Sequence, residues 1–216
     1  MTIEDPVEYE LKGVTQTQVN PKINLTFSVI LRSMLRHDPD IMMVGEVRDY
    51  ETADITIQTA LTGHLVFSTL HTNDAASGIT RLMDIGLEPY LIASSVEVFI
   101  AQRLIRLICN NCKESYQLPP EIARHFQISD QPLVKQTVFR GRGCKICNNT
   151  GYMGRTGIYE ILLLNEEIKK MILQKASSSM ISEKAEHAGM RTLKQDGWEK
   201  ILAGLTTPEE VLRVVQ

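Results

Sequence analysis

Nothing in the sequence approaches the roughly 18 consecutive apolar residues that a membrane-spanning helix requires. The acidic start, MTIEDPVEYE, lacks the apolar core of a signal peptide. Neither sign of charge dominates: 23 Lys and Arg stand against 26 Asp and Glu, a formal net charge of −3. No global field therefore favours a nucleic acid or a membrane surface. Internal repeats and low-complexity tracts are missing too. So is the phosphate-cradling pattern G-x-x-x-x-G-K-[ST]. Gly151-Tyr152-Met153-Gly154-Arg155-Thr156 looks superficially like it but has neither the lysine nor the spacing. These absences, with 43% hydrophobic and 23% charged residues, leave a soluble, cytoplasmic globular protein as the expectation.

Cysteine is scarce, but its few copies are patterned. Cys109-Asn110-Asn111-Cys112 and Cys144-Lys145-Ile146-Cys147 form two C-x-x-C pairs with 31 residues between them. Two such knuckles supply four thiolates to one tetrahedral zinc. Gly143, Asn148, Asn149 and Gly151 around the second pair suit tight turns. Disulfides, a redox pair and unrelated buried thiols are the alternatives. Without secretory features disulfides are disfavoured, and a redox motif needs no twin. A closed four-sulfur site leaves no open position for substrate, so its role would be to hold a loop-rich segment together.

The periodicity alternates. TFSVILRSMLRHD (26–38) has helical spacing with Thr26 as N-cap. Residues 41–44 form a short buried strand, 51–63 a helix stopped by Gly63, and 64–71 a second buried strand. Residues 74–86 predict another helix, and Pro89 to about Ile108 a long one. Such alternation predicts an α/β fold with a parallel sheet and helices on both faces. Residues 109–157 are rich in Cys, Gly, Asn and Pro and fit a zinc-supported insertion. Short helices are expected at 166–174, 178–188, 190–203 and 208–215. The last opens on Thr207-Pro208-Glu209-Glu210, with cap, first-turn proline and first-turn acids.

Four polar stretches carry candidate chemistry. TIEDPVEY (2–9) offers carboxylates that could polarise water or hold magnesium, or else is a solvated acidic loop. Arg32 and Arg36 stand four apart on one helix face, placed to clamp phosphate oxygens or to form a surface ion pair. In HDPDIMMVGEVRD (37–49), Glu46 follows a strand directly. In TGHLVFSTLHTN (62–73), His71 also follows a strand, with Thr69, Thr72 and Asn73 nearby. Ligands sit at the carboxyl ends of parallel strands, so Glu46 and His71 are expected at one crevice. His64, at the opposite end of its strand, reads as structural.

These stretches, in this order and followed by paired cysteine knuckles, resemble the secretion ATPase superfamily of type II secretion, type IV pilus assembly and pilus retraction ATPases. TIEDPVEY is similar to its aspartate box, DPDIMMVGEVRD to its Walker B region and TGHLVFSTLHTND to its histidine box. QTQVNP (16–21), GYMGRTGIYE (151–160) and TTPEEVLRV also match. Retraction ATPases usually lack the four-cysteine module, and the wording of the boxes leans toward type II secretion.

The resemblance implies a RecA-like ATPase core at 1–108, incomplete because the phosphate loop is absent. It also implies a zinc module at 109–157 and a helical region at 158–216. It implies ATP, magnesium and zinc as cofactors. Glu8 would orient the attacking water, Glu46 would act on magnesium, and His71 would sense the γ-phosphate. Arg32 and Arg36 would reach nucleotide phosphates, and Cys109, Cys112, Cys144 and Cys147 would bind zinc. It further implies a homo-hexamer that drives an inner-membrane platform protein and associates peripherally with that membrane through a cytoplasmic anchor protein, with no nucleic acid involved. The chain then reads as the C-terminal portion of a longer enzyme, with negligible ATP hydrolysis alone. A pilus-extension or DNA-uptake ATPase, and a non-catalytic zinc-stabilised interaction module, are the alternatives.

Overall fold

Short parallel strands need long crossovers between them, and the first half of the chain is built that way. The computed structural model describes residues 1–126 and 137–215. They fall into two compact units, Met1–Phe99 with Leu162–Ala185, and Ile100–Ile161 with Glu186–Gln216. No helix among the described residues is long and apolar enough to cross a membrane.

The first unit holds a parallel sheet of four strands, β1 (Thr2–Glu4), β2 (Gln16–Gln18), β3 (Ile41–Val44) and β4 (Leu65–Ser68), in the order β2-β1-β3-β4. Helix α1 (Phe27–Met34) is capped by Thr26, whose side chain accepts from the Val29 N–H. Helix α2 (Tyr50–Leu61) is capped by Asp49, which accepts from both the N–H and the hydroxyl of Thr52. Each cap satisfies an otherwise orphaned amide and contributes about 1 kcal/mol. Helices α3 (Ala76–Ile85) and α4 (Pro89–Ser95) follow. α1 packs on α2, and α2 packs on α4. Ile3, Leu31, Met42, Val44, Ile79 and Ile92 are buried between these elements.

Two expectations are corrected here. β4 is not a buried strand: it is an edge of the sheet, and its Leu65 and Phe67 are 52% and 56% exposed. An apolar run alone does not reveal whether a strand is central or marginal. Nor do residues 89–108 form one helix. α4 ends at Ser95, and β5 (Val98–Ile108) follows. In β5 the buried positions are Ala101, Ile105 and Ile108, a spacing that imitates a helical face although the backbone is extended.

β5 pairs with the long strand β8 (Tyr152–Leu163), which continues into α6 (Glu166–Leu173) and α7 (Ser178–His187). In the second unit, β6 (Lys113–Gln117) and β7 (Thr137–Gly141) form an antiparallel pair with Ser115 opposite Phe139. Residues 109–157 thus contain strands as well as turns, and the segment 127–136 within them lies outside the described residues. Helices α5 (Pro120–His125), α8 (Leu193–Leu202) and α9 (Pro208–Val215) complete the unit. Phe126 meets Trp198 with ring centroids 4.9 Å apart. α8 opens on a reciprocal cap between Thr192 and Gln195, three residues later than the periodicity suggested.

Glu210, in the first turn of α9, has a side chain with no solvent exposure. Its oxygens accept from the Arg106 N–H and guanidinium and from the Arg213 guanidinium, at 2.7–2.9 Å. Burial alone would raise its pKa, but the hydrogen bonds from Arg213 and Arg106 outweigh burial and hold it at about 2, against an ordinary 4.5. A depressed folded-state value stabilises above the unfolded value, and that contribution is lost as pH falls through the folded one. We therefore expect about 3 kcal/mol of stability to disappear between pH 5 and pH 2. Urea unfolding across this range should show Glu210→Gln lacking that component of the pH dependence.

Candidate active site and metal centre

The site is assembled where β1, β3 and β4 end. The Gly45 N–H donates to the Ile3 carbonyl at 2.7 Å, and the Thr69 hydroxyl donates to the Gly45 carbonyl at 2.6 Å. The Val47 N–H returns to the Thr69 carbonyl at 3.1 Å. A Cβ at position 45 would lie 2.9 Å from the Ile3 carbonyl oxygen, so glycine is what lets β3 leave the sheet this close to β1.

The next residue is Glu46, a carboxylate 9% exposed. Its Oε2 accepts from Arg48 Nε at 2.6 Å and lies 3.0 Å from His71 Nε2. Its Oε1 accepts no hydrogen bond from the described residues. His71 and Arg48 bury one edge against Glu46 while their side chains remain 75% and 67% exposed. The result is one carboxylate oxygen held by two donors and a second acceptor left for something outside the protein, with two potentially cationic groups around it. The sequence placed Arg48 only in the loop beyond Glu46; its pairing two residues away depends on the turn and carries no periodic signal.

The other candidates make no hydrogen bond or ion pair with this cluster among the described residues. Glu8 is exposed on the loop after β1 and has no hydrogen bond or ion pair among the described residues. That loop is held by side chains of β2: Gln16 accepts from the Leu11 N–H at 2.6 Å and donates to the Tyr9 carbonyl at 3.0 Å, while Gln18 accepts from the Val7 N–H at 3.3 Å. Gln16 also donates to Glu4; that bond, then one from Thr2, keeps the Glu4 carboxyl below its ordinary range. Arg32 pairs with Glu51 at 3.1 Å, both exposed. α1 ends at Met34, and Arg36 sits in the 3-10 turn Leu35–His37, so regular α-helical spacing between Arg32 and Arg36 is broken. His64 Nδ1 lies 3.0 Å from the Thr62 hydroxyl and 3.1 Å from the Thr59 carbonyl, closing the end of α2 in a structural role.

The four cysteines converge. Their sulfurs all lie within 4.8 Å of one another. Cys109–Cys144, Cys112–Cys147 and Cys144–Cys147 separations are 4.0, 3.9 and 3.7 Å. Four thiolates about 2.3 Å from a tetrahedral zinc would stand roughly 3.8 Å apart, so the donor set fits. N–H groups surround it: Cys144 and Gly151 amides donate to Cys147 Sγ, and Asn111 Nδ2 donates to Cys144 Sγ, each at 3.3 Å. The Cys147 amide, then Asn111, hold the Cys144 thiol down at about 6, whereas burial pushes Cys112 up to about 11. Gly141 and Gly151 meet backbone to backbone, a Cβ on Gly141 falling 2.0 Å from the Gly151 carbonyl oxygen.

The parallel sheet thus delivers an acid and a histidine from adjacent strand ends, and the second unit gathers four sulfurs. The chain belongs to the family described as Type II/IV secretion system protein, whose model matches residues 1–213. It is 50% identical over 211 residues to the "Type IV pilus assembly ATPase PilB" of Thermus thermophilus, covering 98% of this chain and 24% of that protein. It is 46% identical over 217 residues to the "Type II secretion system ATPase E" of Vibrio cholerae, covering 100% of this chain and 42% of that one. The chain thus spans well under half the length of these relatives. Among solved structures it resembles the pilus retraction motor PilT with bound ADP, with a TM-score of 0.67 and 28% identity over 99% of this chain and 51% of that one.

Two outcomes follow from this geometry. Gly45→Ala is expected to cost about 1–3 kcal/mol in urea unfolding, because the added methyl meets backbone that must move. Reduced protein should contain one zinc per chain by metal analysis, and Cys147→Ser should lose it.

Proposed function

We propose that these residues form part of a ring-forming ATPase that couples ATP hydrolysis to pseudopilus assembly in type II protein secretion. The observation that carries the reading is Glu46: a buried carboxylate with one oxygen fixed by Arg48 and His71 and the other unclaimed among the described residues. A carboxylate whose partners all lie within the fold has its acceptor sites filled, as Glu210 does.

In this reading Glu46 would act on magnesium, through water, and His71 would sense the terminal phosphate. Glu8, unpartnered on its braced loop, orients the attacking water. Arg32 and Arg36 neutralise phosphate charge. Magnesium-ATP, when bound, would supply the electrophilic phosphoryl group, and these residues would position it and the attacking water. Cys109, Cys112, Cys144 and Cys147 hold a structural zinc. The motor works as a hexamer associated peripherally with the inner membrane, with an inner-membrane platform protein and a cytoplasmic anchor protein as its partners. Pilus extension is the second reading, supported by the 50% identity to a pilus assembly ATPase.

The 216 residues alone are expected to release no phosphate above background, since they contain no G-x-x-x-x-G-K-[ST] loop. Within a polypeptide that supplies that loop, Glu46→Gln should slow phosphate release by about 100-fold or more. Robust turnover by the chain alone that is abolished by Glu46→Gln would overturn the first expectation. Unchanged turnover of Glu46→Gln with the loop present would overturn the assignment of Glu46.

A further inference from the structure

We infer that Glu210 is a positioning residue for the four-cysteine centre, acting through Arg106 and Tyr152 on the two backbone segments that carry the sulfurs and their N–H donors. The inference rests on the zinc reading of those cysteines.

The connection is continuous. Glu210 grips Arg106 twice, by backbone N–H at 2.9 Å and by guanidinium at 2.7 Å. The carbonyl of the same residue is held as well: the Thr206 hydroxyl donates to the Arg106 carbonyl at 2.8 Å, and the Ile108 N–H donates to the Leu205 carbonyl at 2.9 Å. The segment 205–210 therefore fixes residues 106 and 108, and the next residue is the ligand Cys109.

The guanidinium that Glu210 orients also lies over the Tyr152 ring, 4.2 Å from its centroid. The Tyr152 hydroxyl is 2.8 Å from the Thr207 hydroxyl, which accepts the Glu210 N–H at 3.2 Å. Tyr152 is thus seated from two directions by the first turn of α9. Its neighbour Gly151 accepts from the Cys109 N–H at 2.9 Å and donates to Cys147 Sγ at 3.3 Å. One buried carboxylate thereby sets the position of a ligand from the first knuckle and of an N–H donor to the second.

A residue that only stabilised α9 would affect folding and leave metal affinity unchanged. Partners that orient ligands typically change metal affinity by roughly 10–100-fold when removed. The test is a competition titration of the 216-residue chain with zinc and a chromophoric chelator. Glu210→Gln should weaken zinc binding by about tenfold, and Tyr152→Leu, which leaves the Glu210 ion pairs intact, should weaken it several-fold. Ile201→Ala, a core truncation in the same unit, should leave zinc affinity within twofold of the parent. Zinc affinity unchanged in both Glu210→Gln and Tyr152→Leu overturns the inference. So does an equal loss in Ile201→Ala, which would signal general loosening. A parent chain that binds no zinc would overturn the four-thiolate reading itself, and is told apart by failing before any variant is compared. Should Glu210→Gln not fold, Tyr152→Leu alone decides.

Discussion

Taking a carboxylate out of water costs several kcal/mol unless charged donors meet it in fixed positions. That demand organises both compact units. In the first, Glu46 can sit at the end of β3 only because Arg48 and His71 reach its Oε2. His71 can do so because Thr69 ties the end of β4 to the Gly45 carbonyl. Gly45 in turn lies against β1 with no room for a side chain. The geometry of the acid is therefore a property of three strands together. In the second unit Glu210 meets the same demand with two arginines and a backbone N–H, and it draws the end of β5 and the start of β8 toward the first turn of α9.

The two acids differ in what they leave over. Glu210 uses both oxygens and is sealed from solvent; nothing further can bind to it. Glu46 concentrates its protein contacts on one oxygen, and both donors are mostly exposed on their other sides. An incompletely satisfied carboxylate near the surface is destabilising compared with a sealed one. Such a cost is tolerated where the acceptor left over among the described residues has a ligand, and on that ground chemistry is proposed for Glu46 and a positioning role for Glu210.

Local signals were legible in the sequence wherever a few neighbouring residues decide the outcome. Thr26 caps a helix, Thr207-Pro208-Glu209-Glu210 opens α9, and the apolar run 41–44 forms β3. The convergence of the cysteine knuckles was legible too, because metal-ligand spacing is a local constraint. What the sequence concealed depends on distant partners. β4 looked buried until the strand order put it at an edge. Residues 98–108 looked helical because Ala101, Ile105 and Ile108 face inward along an extended strand. Gln16 carried no signal of its own; it braces the Glu8 loop only because parallel pairing places Gln16 opposite Thr2. Glu210 read as an ordinary first-turn acid, and its link to Arg106 spans 104 positions.

The cysteine module illustrates why a metal suits this part of the chain. Gly141 and Gly151 pack backbone against backbone, leaving no side chains there to bury. Apolar burial at about 25 cal/mol per Å² cannot hold such a segment, and the N–H groups aimed at Cys144 and Cys147 favour thiolate over thiol. Four thiolates about 4 Å apart would repel strongly in a desolvated site. A divalent cation held among them would convert that repulsion into attraction, and the N–H donors would offset the charge that remains. The same donors fix which way the Cys144 and Cys147 sulfurs point, so the strength of the closure depends on the peptides that carry them, and one of these, at Gly151, adjoins the Tyr152 that Arg106 and Thr207 seat.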